Sequence, residues 1–342
     1  MARSQESPFP RAEVGKTNDS GNSFLFPIVR PWFPRYILPR AAGPWDRAAT
    51  WSNEVIVMSA SLPIRALCLA AALSVLALPA PAQTVAQPIP QVRVEKISSA
   101  RLGEMREVWV SLPDHYDESR DRYPVLYMLD GEINFNSGQV GGIRYAASLG
   151  EIPELIIVGV VNTDRSKDIF PEVITYPDGS KDGGRADLFL DFLGDELVPR
   201  IDGAYRTLPS RILYGTSNTA FTAVYSLFKR PDLAQAYIAA SATLSIPSFL
   251  SRRDDWIRGF KGGDRRLVLV MGENDLPTVL SLNGALKESL AELAPSGLTG
   301  RLIVIEKGEH VPGQALLEGL RRVYEGWKPA AKGQNETKSD RP

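Results

Sequence analysis

Cysteine is almost missing from this chain of 342 residues, which carries one, Cys68. A lone thiol cannot close an intrachain disulfide, and its place within an apolar stretch removes cysteine catalysis from the expected mature domain. Histidine is nearly as scarce, so any imidazole chemistry must use His115 or His310, the two that exist. Charge of one sign is lacking too: 39 Lys and Arg stand against 40 Asp and Glu, for a formal net charge of -1. That balance gives no broad attraction to nucleic acid or to an anionic membrane, and nucleic acid is not expected as a partner. No internal repeat or low-complexity tract appears. No apolar run reaches the roughly 20 residues that cross a bilayer.

What remains is the composition of an ordinary globular protein, 44% hydrophobic and 23% charged. Residues 58–82 read as a signal peptide, with Arg65 as a basic start, Ala66 to Leu78 as the apolar stretch and Ala80-Pro81-Ala82 as a small-residue cleavage site. The expectation is a bacterial periplasmic or secreted protein without a stable membrane span after cleavage. Residues 1–57 are rich in Pro, Arg and aromatics without a sustained hydrophobic period, and read as a disordered leader or as spurious translation upstream of Met58. One domain is expected over 83–342, with its core at about 91–327.

Within that domain, two strands at Val92 to Lys96 and Arg106 to Leu112 lead into short apolar runs: Val125 to Leu129, Leu155 to Val161, Ile212 to Tyr214, Tyr237 to Ala240, Leu267 to Met271 and Leu302 to Ile305. Continuous apolar runs of this length suit strands buried on both faces of a parallel sheet. Helical patterns at Ala186 to Val198, Asn218 to Lys229, Pro277 to Leu293 and Gly313 to Trp327 separate most of the later ones. The alternation specifies an α/β fold, a mostly parallel central sheet with helices on both faces.

Ser217 stands where one of those strands turns into a helix, in Gly215-Thr216-Ser217-Asn218-Thr219. Such a turn exposes a nucleophilic hydroxyl, and the helix that follows directs its first amides and its dipole at a developing oxyanion. A serine there is also able to act as a plain helix cap. The downstream residues favour the nucleophile. His310 follows the run at Leu302 to Ile305, on the side of an open sheet where ligands bind, and is the candidate general base; His115 reads as a surface loop residue. For the acid that fixes the imidazole, Gly272-Glu273-Asn274-Asp275 offers two carboxylates. Asp275 is preferred, and Glu273 takes the role if Asp275 merely caps the next helix. The oxyanion amides are expected from Asn218 and from Gly131 or Glu132, in the loop after Leu129. Asp130 and Glu132 lack a neighbouring histidine and match no strong metal spacing, so no metal is expected.

From about Arg101 to Trp327 the chain resembles the putative-esterase family of α/β hydrolases, which includes esterase D, siderophore esterases and feruloyl esterases. The matching stretches are Arg106 to Pro113, Tyr123 to Gly131, Asn162-Thr163-Asp164-Arg165 with Asp168, Glu196 to Asp202, Tyr205-Arg206-Thr207 and Glu309-His310. The resemblance implies the α/β-hydrolase fold and hydrolysis of a small-molecule or saccharide ester by a Ser-Asp/Glu-His triad, with no cofactor. One position departs. Where the family has glycine two residues after the nucleophile, this chain has Thr219, a β-branched residue expected to crowd the helix against its strand or to alter the pocket floor.

Two other functions stay open at this point: an acyltransferase using the same residues with a hydroxyl acceptor, and a non-catalytic binding protein, for which Thr219 is the motive. The segment Asn162 to Gly184 is expected to form a long loop at the site. There Arg165 or Lys167 meets an anionic substrate group, or else Asp164, Arg165 and Asp168 pair among themselves.

Overall fold

Residues 92–175 and 178–329 are described by the computed structural model. The leader at 1–57, the export segment at 58–82 and Cys68 lie outside the described residues.

The chain runs β1 (Val92–Ser99), β2 (Glu104–Ser111), β3 (Tyr123–Met128), α1 (Gly131–Asn136), α2 (Gln139–Ser148), β4 (Ile156–Val160), α3 (Arg165–Ile169), β5 (Val173–Thr175) and β6 (Lys181–Gly183). It continues through α4 (Ala186–Asp191), α5 (Val198–Ala204), β7 (Thr207–Thr216), α6 (Asn218–Lys229), β8 (Ala236–Ala240), α7 (Pro247–Arg258), β9 (Arg265–Gly272), α8 (Pro277–Leu293), β10 (Leu298–Ile305) and α9 (Ala315–Val323). Eight strands form one sheet in the order β1-β2-β4-β3-β7-β8-β9-β10, while β5 and β6 pair separately. Strand β2 is antiparallel to both neighbours, and every pairing from β4 to β10 is parallel.

Every residue of β3, β4 and β8 is buried, as strands covered on both faces must be. Successive side chains point to opposite faces. Val125, Tyr127 and Leu129 thus join Phe221, Phe249 and Leu286 in one core, while Leu126 and Met128 join Ile143, Leu316 and Leu320 in the other. All eight expected strands are present. The run Ile212 to Tyr214 proves to be only the middle of β7, because Pro209, Ser210 and Arg211 interrupt the apolar pattern toward its start. The helix expected at Ala186 to Val198 continues through a π-helical turn, Phe192–Leu197, into α5 and stops at Ala204.

Four helices carried too weak a pattern to be anticipated, among them the five-residue α3 within the expected loop. In α2, Gly141 and Gly142 lower helix propensity, and burial of Val140, Ile143 and Ala146 holds it instead. Helix α7 buries only Phe249 and Ile257 among its polar residues, and α1 spans six residues.

The chain moves outward from β3 to β4, then returns past β3 to β7. At such a reversal the connections leave in opposite directions, and a crevice opens above the carboxyl ends of the two central strands. Asp130 and Ser217 stand at those ends.

Candidate active site

Strand β7 ends at Thr216, α6 starts at Asn218, and Ser217 between them has φ 52° and ψ -114°. That backbone lies in a sparsely populated region and must be held. Two hydrogen bonds hold it from the β8 side: the Ser217 amide donates to the Ala240 carbonyl at 2.8 Å, and the Ser217 carbonyl accepts from the Thr243 amide at 3.2 Å. The tight return of the helix against its strand falls on Gly215, where a Cβ would collide with the Thr219 carbonyl. Crowding by Thr219 therefore does not occur. Its hydroxyl accepts from the Thr216 amide at 2.9 Å and lies 2.7 Å from Asp130 Oδ2, so the departure from the family pattern acts as a bridge beneath the turn.

His310 comes from the loop after β10, with Nε2 3.0 Å from Ser217 Oγ and Nδ1 2.7 Å from Asp275 Oδ1. Asp275 follows β9, and its side chain is fully buried while that of His310 is 34% exposed. One carboxylate is thus shielded behind an imidazole that solvent and substrate can reach. Asp275 Oδ1 also accepts from the Leu276 amide at 2.7 Å, and no side chain caps α8. Glu273 is turned elsewhere: its Oε2 accepts from the Lys307 amide at 2.9 Å. The structure brings Ser217, His310 and Asp275 together and leaves Glu273 out of contact with His310.

Ser241 was missed by the sequence reading. Buried behind Asp275, it donates from Oγ to Asp275 Oδ2 at 2.5 Å and accepts at the same oxygen from the Val311 amide at 2.8 Å. Its only sequence signal is a polar residue at the end of a fully apolar strand, Ala240-Ser241-Ala242.

The loop after β3 is built around Asp130, whose side chain is 1% exposed. Arg165 donates to it twice, from Nε at 2.7 Å and from Nη2 at 3.0 Å, and Asn162 Nδ2 donates at 2.8 Å. Burial alone would raise the Asp130 carboxyl, but the Arg165 guanidinium, with Thr219 and Asn162, holds it below the usual carboxylate range. Asn162 also donates to Glu132, from its amide and from Nδ2.

These contacts correct the expected pairing among Asp164, Arg165 and Asp168. Arg165 is engaged by Asp130, Lys167 by Glu104 at 2.8 Å, and Asp168 by the buried Arg106. The expected loop contains α3 and the β5–β6 ribbon. An acid and a base far apart in sequence cancel here because burying either alone would be more costly than any pairing within an exposed loop.

Gly131 and Glu132 open α1, and Asn218 opens α6. First-turn amides have no acceptor within their own helix. Gly131 is further restricted because a Cβ there would meet the backbone of Gly159 in β4. His115 is exposed in the loop after β2, with Nδ1 3.0 Å from Glu118. Among the described residues no cluster of His, Cys, Asp and Glu is suited to hold a metal ion.

Residues 99–284, more than half of the chain, match the family described as putative esterase. The chain belongs to that family. It is 30% identical over 156 residues to the siderophore triacetylfusarinine C esterase of Aspergillus fumigatus, an alignment covering 42% of this chain and 52% of the relative. The chain thus spans about half the length of that curated relative. Among solved structures, an IroE-like serine hydrolase from Shewanella oneidensis superposes with a TM-score of 0.64 at 29% identity, over 68% of this chain and 80% of that one. The siderophore hydrolase EstA of Aspergillus nidulans shares the fold with a TM-score of 0.58 at 19% identity, over 68% and 94% of the two chains. The α/β-hydrolase fold expected from the sequence is the one observed. The family's Asn162-Thr163-Asp164-Arg165 stretch with Asp168 now has a physical account, since Asn162 and Arg165 bind Asp130 while Thr163 and Asp168 bind Arg106.

Proposed function

We propose that this chain is a carboxylic-ester hydrolase with Ser217 as nucleophile, His310 as general base and acid, and Asp275 as the carboxylate that orients the imidazole. The observation that carries the reading is the continuous hydrogen-bonded line from Ser217 Oγ through both ring nitrogens of His310 to Asp275. A serine hydroxyl becomes nucleophilic when a base takes its proton, and an imidazole fixed through Nδ1 presents Nε2 for that transfer. Ser217 Oγ attacks the ester carbonyl, and the Ser217 proton passes to Nε2. The oxyanion is met by the amides of Asn218 and of Gly131 or Glu132. Nε2 then protonates the leaving alcohol, and a water deprotonated by the same nitrogen releases the acid. No step calls for a metal or cofactor.

Thr219 gave the binding-protein reading its motive, but its hydroxyl is engaged by the Thr216 amide and by Asp130 beneath the turn. Siderophore esters are the first substrates to test, because the curated relative is a siderophore esterase. A panel of siderophore, acyl-aryl and acetyl-saccharide esters, each with wild type and Ser217→Ala, tests the reading. Turnover of at least one class by wild type alone is expected; equal turnover by both proteins contradicts it. An added alcohol acceptor that captures the acyl group in preference to water would make the chain an acyltransferase.

For the amino-terminal segment we infer export, with cleavage after Ala82 and a working domain over 83–342. Intact mass of protein recovered from its source should begin at Gln83. Recovery of soluble protein that keeps residues 1–57 would refute this.

A further inference from the structure

Ser241 ends β8 much as Ser217 ends β7. Both follow the last residue of a central parallel strand, and both have positive φ, 51° and 52°. A non-glycine residue seldom adopts that backbone unless its surroundings require it. Here the Ser241 amide is tied to the Val270 carbonyl at 2.7 Å, which turns the side chain toward the carboxyl end of the sheet.

The bonding at Ser241 Oγ follows from the groups around it. A backbone N–H can only donate, so Val311 at 2.8 Å uses a lone pair of the hydroxyl. The one hydroxyl proton is then left for Asp275 Oδ2 at 2.5 Å. Asp275 Oδ1 is occupied by His310 Nδ1 and by the Leu276 amide, so Ser241 is the group that holds the second oxygen. Val311 is next to His310 and has φ 53°, so the amide that Ser241 accepts belongs to the turn that carries the imidazole.

We propose that Ser241 is a positioning residue for the hydrolytic reaction, whose single hydroxyl fixes both the Asp275 carboxylate plane and the His310 loop. This rests on the triad reading above. With that hydroxyl gone, Asp275 Oδ2 and the Val311 amide both lose a partner, and the carboxylate is held at Oδ1 alone, by Nδ1 and the Leu276 amide. The effect belongs on the chemical step and not on substrate binding, because Ser241 is fully buried behind Asp275 and offers nothing to a substrate.

The test compares ester kinetics of wild type, Ser241→Ala, Ser241→Gly, Asp275→Asn and the Ser241→Ala/Asp275→Asn pair, with Ser217→Ala as the blank. Glycine relieves the positive φ, so Ser241→Gly removes the hydroxyl without added backbone strain. Both Ser241 variants should lose about 10- to 100-fold in kcat, by analogy with the hydrogen-bond partners of metal-ligating side chains, with KM nearly unchanged. On the Asp275→Asn background the further loss should be smaller than in the single variants, since only the hold on the Val311 amide is then left to lose. Wild-type kcat in Ser241→Gly, or single losses that multiply in the pair, would overturn the proposal. If Ser217→Ala keeps wild-type turnover, the triad reading fails first; if Ser217→Ala is inactive while both Ser241 variants are unimpaired, only the role of Ser241 fails.

Discussion

The two ends of the parallel strands treat left-handed backbone differently. In the turns that enter strands, positive φ falls on Gly150 before β4, Gly263 before β9 and Gly297 before β10, with His115 before β3 and Ala294 closing α8 on the same side. In the turns that leave strands it falls on Asp130, Ser217, Ser241, Lys307 and Val311. Glycine adopts this conformation freely, whereas other residues are strained in it. Strain is offset where the side chain has partners that a glycine would lose, as Asp130 has Arg165 and Asn162, and Ser241 has Asp275 and Val311. Among the described residues, five of the seven non-glycine residues with positive φ lie at the end of the sheet that holds the site.

The largest effects should come from replacing the site residues. Ser217→Ala should lower kcat by on the order of a million-fold with substrate binding largely kept, by analogy with a subtilisin-type triad. His310→Ala should do nearly the same, while His115→Ala, at an exposed left-handed residue on the entering side, should stay near wild type. Steady-state kinetics on folded variants check this, and equal losses from the two histidines would erase the contrast between the two ends.

The carboxylates come next. Asp275→Asn should cost about ten-thousand-fold in kcat, as expected when an imidazole is left in the wrong tautomer. Glu273→Gln should cost far less, because its carboxylate serves the Lys307 amide. A reversed order in kcat would transfer the acid to Glu273.

Asp130→Asn tests stability. The folded carboxyl is held below its unfolded value, so the stabilisation it gives is complete above the unfolded pKa and disappears as pH falls through the folded one. At neutral pH the variant should lose roughly 3 kcal/mol, since Arg165 keeps its charge without a partner. Denaturant titrations in steps from pH 7 to pH 2 should show wild type and variant converging only below the normal carboxylate range; a constant gap would mean that the Arg165 pairing contributes little.

The smallest effect is a gain. Ala294, with φ 40° at the end of α8, supports nothing at the site. Ala294→Gly should add about 1 kcal/mol and raise Tm by a few degrees with kcat unchanged. A loss of stability there would show that strain at the entering end is not free to be removed.

Local signals made much of this readable in advance. Ser217 and His310 sit at the ends of short apolar runs, and the helices beginning at Asn218 and at Pro277 have boundaries marked by their own residues, the apolar stripe in one and the proline in the other. The Asp130 network was not readable, because Asp130, Asn162, Arg165 and Thr219 come from three separate turns and nothing in their spacing says that they meet. Ser241 was hidden for the same reason: its partners lie 34 and 70 residues away. Sequence patterns report which residues end a strand, and pairings across strand ends depend on sheet order, which local periodicity does not encode.

The central claim is that Ser217 carries the acyl group. A fluorophosphonate probe, followed by peptide mass analysis, tests it most directly. The account predicts one modified peptide in the wild type, with the adduct on Ser217, and none in Ser217→Ala. Labelling that persists in Ser217→Ala, or an adduct on any other residue of the wild type, would contradict it.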